Sequence, residues 1–245
     1  MTPPHAHCNS YMLIYRYDRL QSISFDAEFI SDLCSVLPFP AVPNERCGSW
    51  YLENIENVTA RVYFKSTDGH YGNWSFNRRR MNLGILPLII QHNGLMIIDS
   101  TQKGKKIPDA LSKTIPIWCC VLNRYIMSID DQKKSMFDGD LHSPLCISKS
   151  ENDQMLELIP GFVNELKNIK LESEWLLKLD KPLRPIWITP NSTIIDDWSD
   201  FPFYPIVCVT ASGDYNLNSF KYIKGAADDH EYWGLVRMCL SNDRD

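Results

Sequence analysis

The sequence has no run of about 18 apolar residues, the length that a membrane-spanning helix requires. Its longest apolar stretch, Leu83–Ile90, is interrupted by Gly84 and Pro87, so no membrane association is expected. It also lacks a basic region followed by an apolar core at its start. Met1–Ser10 instead carries two prolines and two histidines, unlike a signal peptide. No CxxC pair is present: the eight cysteines stand at 8, 34, 47, 119, 120, 146, 208 and 239, which argues against a zinc ribbon or a thioredoxin motif. Several sit in apolar runs such as Trp118-Cys119-Cys120-Val121. These read as buried, reduced thiols, and a cytoplasmic location follows as the expectation. There is no GxxxxGK[ST] phosphate loop and no G-x-S-x-G elbow. A Cys-x5-Arg phosphatase loop is missing too, because only four residues separate Cys119 from Arg124. Internal repeats and low-complexity segments are absent. An excess of positive charge is absent as well: 25 Lys and Arg face 30 Asp and Glu, for a net charge of −5. Bulk attraction to phosphate is therefore not expected.

What is present is a globular composition. The 245 residues are 44 % hydrophobic and 22 % charged, enough for one large domain with a sizeable core. Ser24–Leu37 has the spacing of a helix, ended by Pro38, Pro40 and Pro43. Ala60–Phe64 alternates like a short strand. Asn82–Gln91 reads as helix, and Leu95–Ile98 as a buried strand introduced by Gly94. Pro116–Ile126 is apolar and suits helix or strand. Asp130–Ser150 reads as a polar loop, Met155–Leu166 as a helix limited by Pro160, and Leu171–Leu179 as a short helix. Pro185–Thr189, Pro205–Thr210 and Phe220–Ile223 read as strands, with a helix over Ala226–Leu240. Strands alternating with helices predict an α/β fold with a mixed or mostly parallel sheet flanked by helices in a single domain. Residues 1–42 form a helical extension in this reading, and residues 43–245 the α/β domain.

The acidic total hides a basic centre. Arg61–Lys113 holds nine Lys and Arg against three acids. Its first cluster runs Lys65-Ser66-Thr67-Asp68-Gly69-His70 and on to Arg78-Arg79-Arg80. Hydroxyls, backbone amides and a lysine in a small turn suit an anion. His70 is a candidate acid or base, since imidazole ordinarily titrates near neutrality. The arginine run and Lys113 suit a nucleic-acid backbone, with an exposed solvated turn as the competing reading. The second cluster begins where the strand Leu95–Ile98 delivers Asp99-Ser100-Thr101-Gln102-Lys103-Gly104-Lys105-Lys106 and runs on through Ile107-Pro108-Asp109-Ala110-Leu111-Ser112 to Lys113. Ligands in open α/β sheets gather beyond the carboxyl ends of strands, and this loop brings hydroxyls, a glycine and lysines there. The third, Gly225-Ala226-Ala227-Asp228-Asp229-His230-Glu231, combines small residues that permit close backbone approach with acids that suit Mg²⁺ or a helix cap.

With these clusters in view, the chain resembles the N-terminal domain of the initiator-tRNA 2′-O-ribosyl phosphate transferases of fungi and plants. The resemblance is carried by Pro43-Asn44-Glu45-Arg46-Cys47-Gly48 with Trp50 and Tyr51, and by Tyr63–His70 with Trp74, Phe76, Arg79 and Asn82. Asp99-Ser100-Thr101, Gly104–Cys119, Leu183–Ile188 and Gly225–Glu231 with Trp233 extend it over most of the chain. It implies transfer of ribosyl 5-phosphate from phosphoribosyl pyrophosphate, with Mg²⁺, to the 2′-hydroxyl of adenosine 64 of initiator tRNA. Family members generally have a basic residue where Gln102 stands here. They also continue into a domain resembling dual-specificity phosphatases, whereas this chain ends at Asp245. A tRNA-binding module whose chemistry lies in that further domain is therefore the alternative. From residue chemistry, Lys65, Ser66, Thr67, Ser100, Thr101, Gly104, Lys105 and Lys106 are expected to hold phosphates. Asp99, Asp68 and His70 are the candidates to orient or deprotonate the acceptor, Arg78, Arg79, Arg80 and Lys113 are those to touch tRNA, and Asp228 and Asp229 those to bind metal.

Overall fold

The computed structural model describes residues 5–52, 60–102, 104–171, 173–195 and 197–228, with side chains from Leu13 to Ala227. Four strands form one sheet: β1 (Ala41–Pro43), β2 (Leu95–Asp99), β3 (Leu183–Ile188) and β4 (Tyr204–Thr210). Their spatial order is β1-β2-β4-β3 and every pairing is parallel, as the α/β reading expects. Every residue of β2 and β4 is buried. That is why both read as unbroken apolar runs: a parallel sheet is covered on both faces.

The alternation within each strand divides the core. Leu95, Ile97, Ile206 and Cys208 face a layer made by α2 (Leu86–His92), α3 (Ile115–Ile129), α4 (Lys149–Asn168) and α5 (Glu174–Lys178). Met96, Ile98, Val207 and Val209 face the other way, onto Ile23, Ile30 and Leu33 of α1 (His5–Val36). Asn123 pins α3 to the start of β3, donating to the Leu183 carbonyl at 2.9 Å and accepting from its amide at 2.9 Å.

Four expectations are corrected. α1 begins some twenty residues before Ser24 and packs on the sheet, and the boundary drawn at residues 42 and 43 falls inside β1. Pro160 does not limit α4, which runs on to Asn168; its ring lies on the exposed face, where water replaces the lost helical hydrogen bond. Ala60–Phe64 is not a ladder strand but a single parallel bridge from Val62 to Asn44. Phe220–Ile223 is not a strand. Its amides are taken by α1 side chains instead: the Lys221 amide donates to Asp18 at 3.3 Å and the Ile223 amide to the Ser22 hydroxyl at 2.9 Å. The helix expected over Ala226–Leu240 is described only as a 3-10 turn, Ala226–Asp228; its remainder lies outside the described residues.

The same interface buries Asp26. Its carboxyl accepts the Tyr222 hydroxyl at 2.7 Å, and burial lifts its pKa from the ordinary value to about 8, against smaller lowering effects of Tyr222 and Lys224. The folded state therefore holds this proton more tightly than the unfolded state does. Stability from this group is complete below about pH 4 and is lost as pH rises toward 8. Asp26→Asn is expected to flatten that slope and to raise stability at pH 8 by a few kcal/mol. Urea titrations of both proteins across this range measure it, and parallel pH profiles would refute the assignment.

Candidate functional site: a cationic cleft on the strand crest

The carboxyl ends of β2, β3 and β4 lie side by side, because Asp99 pairs with Thr210 and Ile188 with Val209. The chain leaving β2 forms one wall of a cleft of about 450 Å³ above them, through Thr101, Gln102, Lys105, Pro108 and Asp109. The opposite wall is Tyr63, Lys65, Ser66, Thr67 and His70, with Arg46 completing it. Asn44 sets this second wall. Its side chain clasps the Phe64 backbone, donating to the carbonyl at 3.0 Å and accepting from the amide at 2.8 Å, and also donates to Asp99 at 2.8 Å. The Thr114 hydroxyl then donates to the Lys65 carbonyl at 2.9 Å. The wall is thus tied at both ends to β2 and to the helix that follows it.

The cleft carries Arg46, Lys65, Lys105 and His70 against one carboxylate, Asp109. Asp109 is buried and meets Lys105 at 2.6 Å, Lys113 at 3.2 Å and His70 at 3.7 Å. The helix beyond it opens with a wide π turn, Ala110–Thr114, before α3, so its positive N-terminal end borders the cleft. The Ser66 hydroxyl is buried there without a hydrogen-bond partner. Cations, hydroxyls and an unmet hydroxyl suit a multiply charged anion such as a phosphate ester.

The two sequence clusters therefore converge, yet not all their members reach the cleft. Lys65, Ser66, Thr67, His70, Thr101 and Lys105 line it. Asp99 is fully buried beneath it. Cys47 donates to Asp99 at 2.8 Å and the Ser100 amide at 2.8 Å, with Arg46 Nε 3.9 Å away. Burial raises the Asp99 pKa, opposed by Arg46 and by the bonds from Cys47, Asn44 and Ser100. Ser100 is likewise buried, its hydroxyl 3.1 Å from the Cys47 sulfur. Asp68 turns away and accepts from Asn77 at 3.2 Å. Gly104 lies exposed at φ +92°, and Lys106 points to a neighbouring pocket.

Of the residues expected to touch tRNA, Arg78, Arg79 and Arg80 are exposed. Arg78 pairs with Glu165 at 3.3 Å, and Arg80 lies 4.1 Å over the ring of Tyr63, which links this run to the rim. Lys113 is buried between Asp109 and Glu151, at 3.2 and 3.0 Å. Although burial pulls its pKa down, the ion pairs outweigh that and raise it, so it is spent inside the protein. Of the metal candidates, Asp228 is described by its backbone alone and Asp229 lies outside the described residues. Arg46, Tyr63 and Asp109 also line the cleft, although the sequence reading gives none of them a site role. Asp109 was discoverable, because Lys105, Asp109 and Lys113 recur at four-residue spacing, which brings opposite charges together on a helix.

The parallel sheet, with a cationic cleft at the carboxyl ends of its strands, defines the class of the molecule as an α/β protein. The chain belongs to the family described as the Rit1 N-terminal domain, whose family model matches residues 13–242. It is 40 % identical over 246 aligned residues to the tRNA A64-2'-O-ribosylphosphate transferase of Saccharomyces cerevisiae, covering 89 % of this chain and 48 % of that protein. It is also 41 % identical over 225 residues to an uncharacterized protein of Schizosaccharomyces pombe, covering 88 % of this chain and 49 % of that one. The chain spans about half the length of these curated relatives. No solved structure matches it significantly.

Proposed function

We propose that this chain handles the donor in a transferase that moves ribosyl 5-phosphate from phosphoribosyl pyrophosphate to the 2′-hydroxyl of adenosine 64 of initiator tRNA. The observation that carries this reading is the cleft with Arg46, Lys65 and Lys105 on its walls and the unmet Ser66 hydroxyl. The resemblance to a named ribosylphosphate transferase supports it. In the transfer, the acceptor oxygen bonds to C1′ of the ribosyl phosphate as the bond from C1′ to pyrophosphate breaks. The electron pair leaves with pyrophosphate, and the hydroxyl proton passes to a base. Arg46, Lys65 and Lys105 offset the negative charge that grows on the leaving group. His70 is the base candidate at the rim, and Asp109, 3.7 Å away, would stabilise the imidazolium formed.

The donor is expected to bring Mg²⁺, which usually takes one or two carboxylates plus ligand phosphates. The described cleft residues do not fit that ion: Asp109 is their one carboxylate, and its oxygens meet Lys105 and Lys113. Among the described residues no three His, Cys, Asp or Glu side chains cluster as a metal site. The tRNA would approach over Arg79 and Arg80, and the buried free thiols Cys119, Cys120 and Cys208 support a cytoplasmic setting. Among the described residues no helix is long and apolar enough to cross a membrane.

Calorimetry of the chain with phosphoribosyl pyrophosphate tests this reading. Lys65→Ala and Lys105→Ala are each expected to weaken binding about 10- to 100-fold, the worth of a hydrogen bond to a charged group. Lys105→Ala additionally leaves Asp109 less neutralised beside the anion. Salt-sensitive tRNA binding without any donor binding would overturn the proposal in favour of a non-catalytic module.

A further inference from the structure

A second pocket, of about 530 Å³, opens on the same crest beyond β3 and β4. Its walls include Lys106, Cys146, Trp187, Asn191, Ser192 and Asp214. It abuts the first cleft. Thr101 lines the first and Ser212 the second, and the two are joined by reciprocal hydrogen bonds: the Thr101 amide donates to the Ser212 hydroxyl at 3.0 Å, and that hydroxyl donates to the Thr101 carbonyl at 3.1 Å. The loop continues the partition, with Lys105 on one side and Lys106 and Ile107 on the other.

The chemistry of the two pockets differs. The first is cationic with hydroxyls. The second has an aromatic and apolar side, Trp187 with Ile107, Leu145 and Pro190, and a polar side of Thr189, Asn191, Ser192 and Asp214. The Trp187 indole N–H donates to the Leu111 carbonyl at 2.8 Å, which holds the half-buried ring in place on the pocket wall. A flat base stacks on such a ring, and ribose hydroxyls pair with amide, hydroxyl and carboxylate groups. Asp214 pairs with Lys224 of the same wall at 3.1 Å; a carboxylate so placed can accept from a sugar hydroxyl, and Lys106 stands where a backbone phosphate would lie.

We propose that this second pocket receives the acceptor nucleoside of the RNA, its base against Trp187 and its sugar toward the Thr101–Ser212 partition. The inference rests on the first cleft being the donor site. Transfer requires the reacting atoms within about 3–3.5 Å of one another, so donor and acceptor must bind in adjoining sites, as these two are across the Thr101–Ser212 partition.

Cys146 is an exposed thiol on the wall of this pocket and serves as the reporter. Adenosine 5′-monophosphate is the probe, and alkylation of the full chain by iodoacetamide is read peptide by peptide by mass spectrometry. With the nucleotide at about nine times its Kd, Cys146 alkylation is expected to slow about tenfold. Alkylation of Cys34, an exposed thiol on α1, is expected to be unchanged. Saturating pyrophosphate should not relieve the protection. Trp187→Leu should abolish it, and so should Asn191→Ala, an exposed substitution that spares the fold, at least in part. Unchanged Cys146 alkylation while phosphoribosyl pyrophosphate still binds overturns the acceptor pocket alone, as does displacement of the nucleotide by pyrophosphate. Absence of donor binding overturns the reading of the first cleft, and this inference with it.

Discussion

Asp99→Ala is expected to lower the unfolding free energy by about 3–5 kcal/mol, the range for breaking a buried charged network. In a domain with about 5–15 kcal/mol in total, that removes a large share of the stability. The reason is the number of groups that converge on one carboxylate. The Asn44 amide, the Cys47 thiol and the Ser100 amide all donate to it, and Arg46 lies beside it. Alanine would leave these donors buried without an acceptor, and an unmet buried donor costs more than the bond it made. Asn44, whose side chain clasps the Phe64 backbone, would lose the bond that ties it to β2, so the Lys65 wall should loosen as well. Asp99→Asn retains an acceptor for Cys47 and Ser100 and is expected to lose less than half as much. Urea denaturation of the three proteins measures this, and an alanine variant as stable as the parent would sink the idea. Loss of transfer activity in Asp99→Ala would then report a missing scaffold, which donor binding by folded Asp99→Asn distinguishes from lost chemistry.

Gly225→Ala is the second large effect. Gly225 has φ +68°, and a Cβ built there would stand 2.5 Å from the Thr101 carbonyl oxygen and 2.9 Å from its carbon. The left-handed backbone alone costs a non-glycine residue about 1–2 kcal/mol. The contact is with backbone, so relief requires the Thr101 segment or the 225 turn to move. Thr101 belongs to the partition between the two pockets, and both should respond. The expected result is a stability loss of about 2–4 kcal/mol, with phosphoribosyl pyrophosphate binding weakened about tenfold. Calorimetry and thermal denaturation on one preparation provide both values. Unchanged stability together with unchanged binding would show that the close approach has no consequence.

Gly225 shows how a sequence feature can be legible while the group it meets is not. Small residues at Gly225–Ala227 signalled a close backbone approach. The approaching group is the chain's own Thr101 backbone, 124 positions away in sequence, and no periodicity within a window reaches that far. Lys113 teaches the same lesson with the opposite sign. Its neighbours in sequence suggested a cation offered to tRNA, whereas α4 brings Glu151 against it and buries the pair. Phe220–Ile223 has the composition of a strand, yet Asp18 and Ser22 on α1 take its amides before any strand can.

The sequence by itself determined the α/β class and its buried strands, because strands covered on both faces must be apolar at nearly every position, as Leu95–Ile98 and most of Tyr204–Thr210 are; that every pairing is parallel was decided in three dimensions. It determined the family through long motifs, Gly104–Cys119 above all, and it marked both cationic segments that form the cleft. Which of their side chains meet a ligand was decided only in three dimensions. A residue's exposure and its partners depend on segments packed from elsewhere, as Asn44 and Cys47 do on Asp99 across more than fifty residues. Local spacing records which face a residue takes on its own element, and it carries no information about what arrives to cover that face.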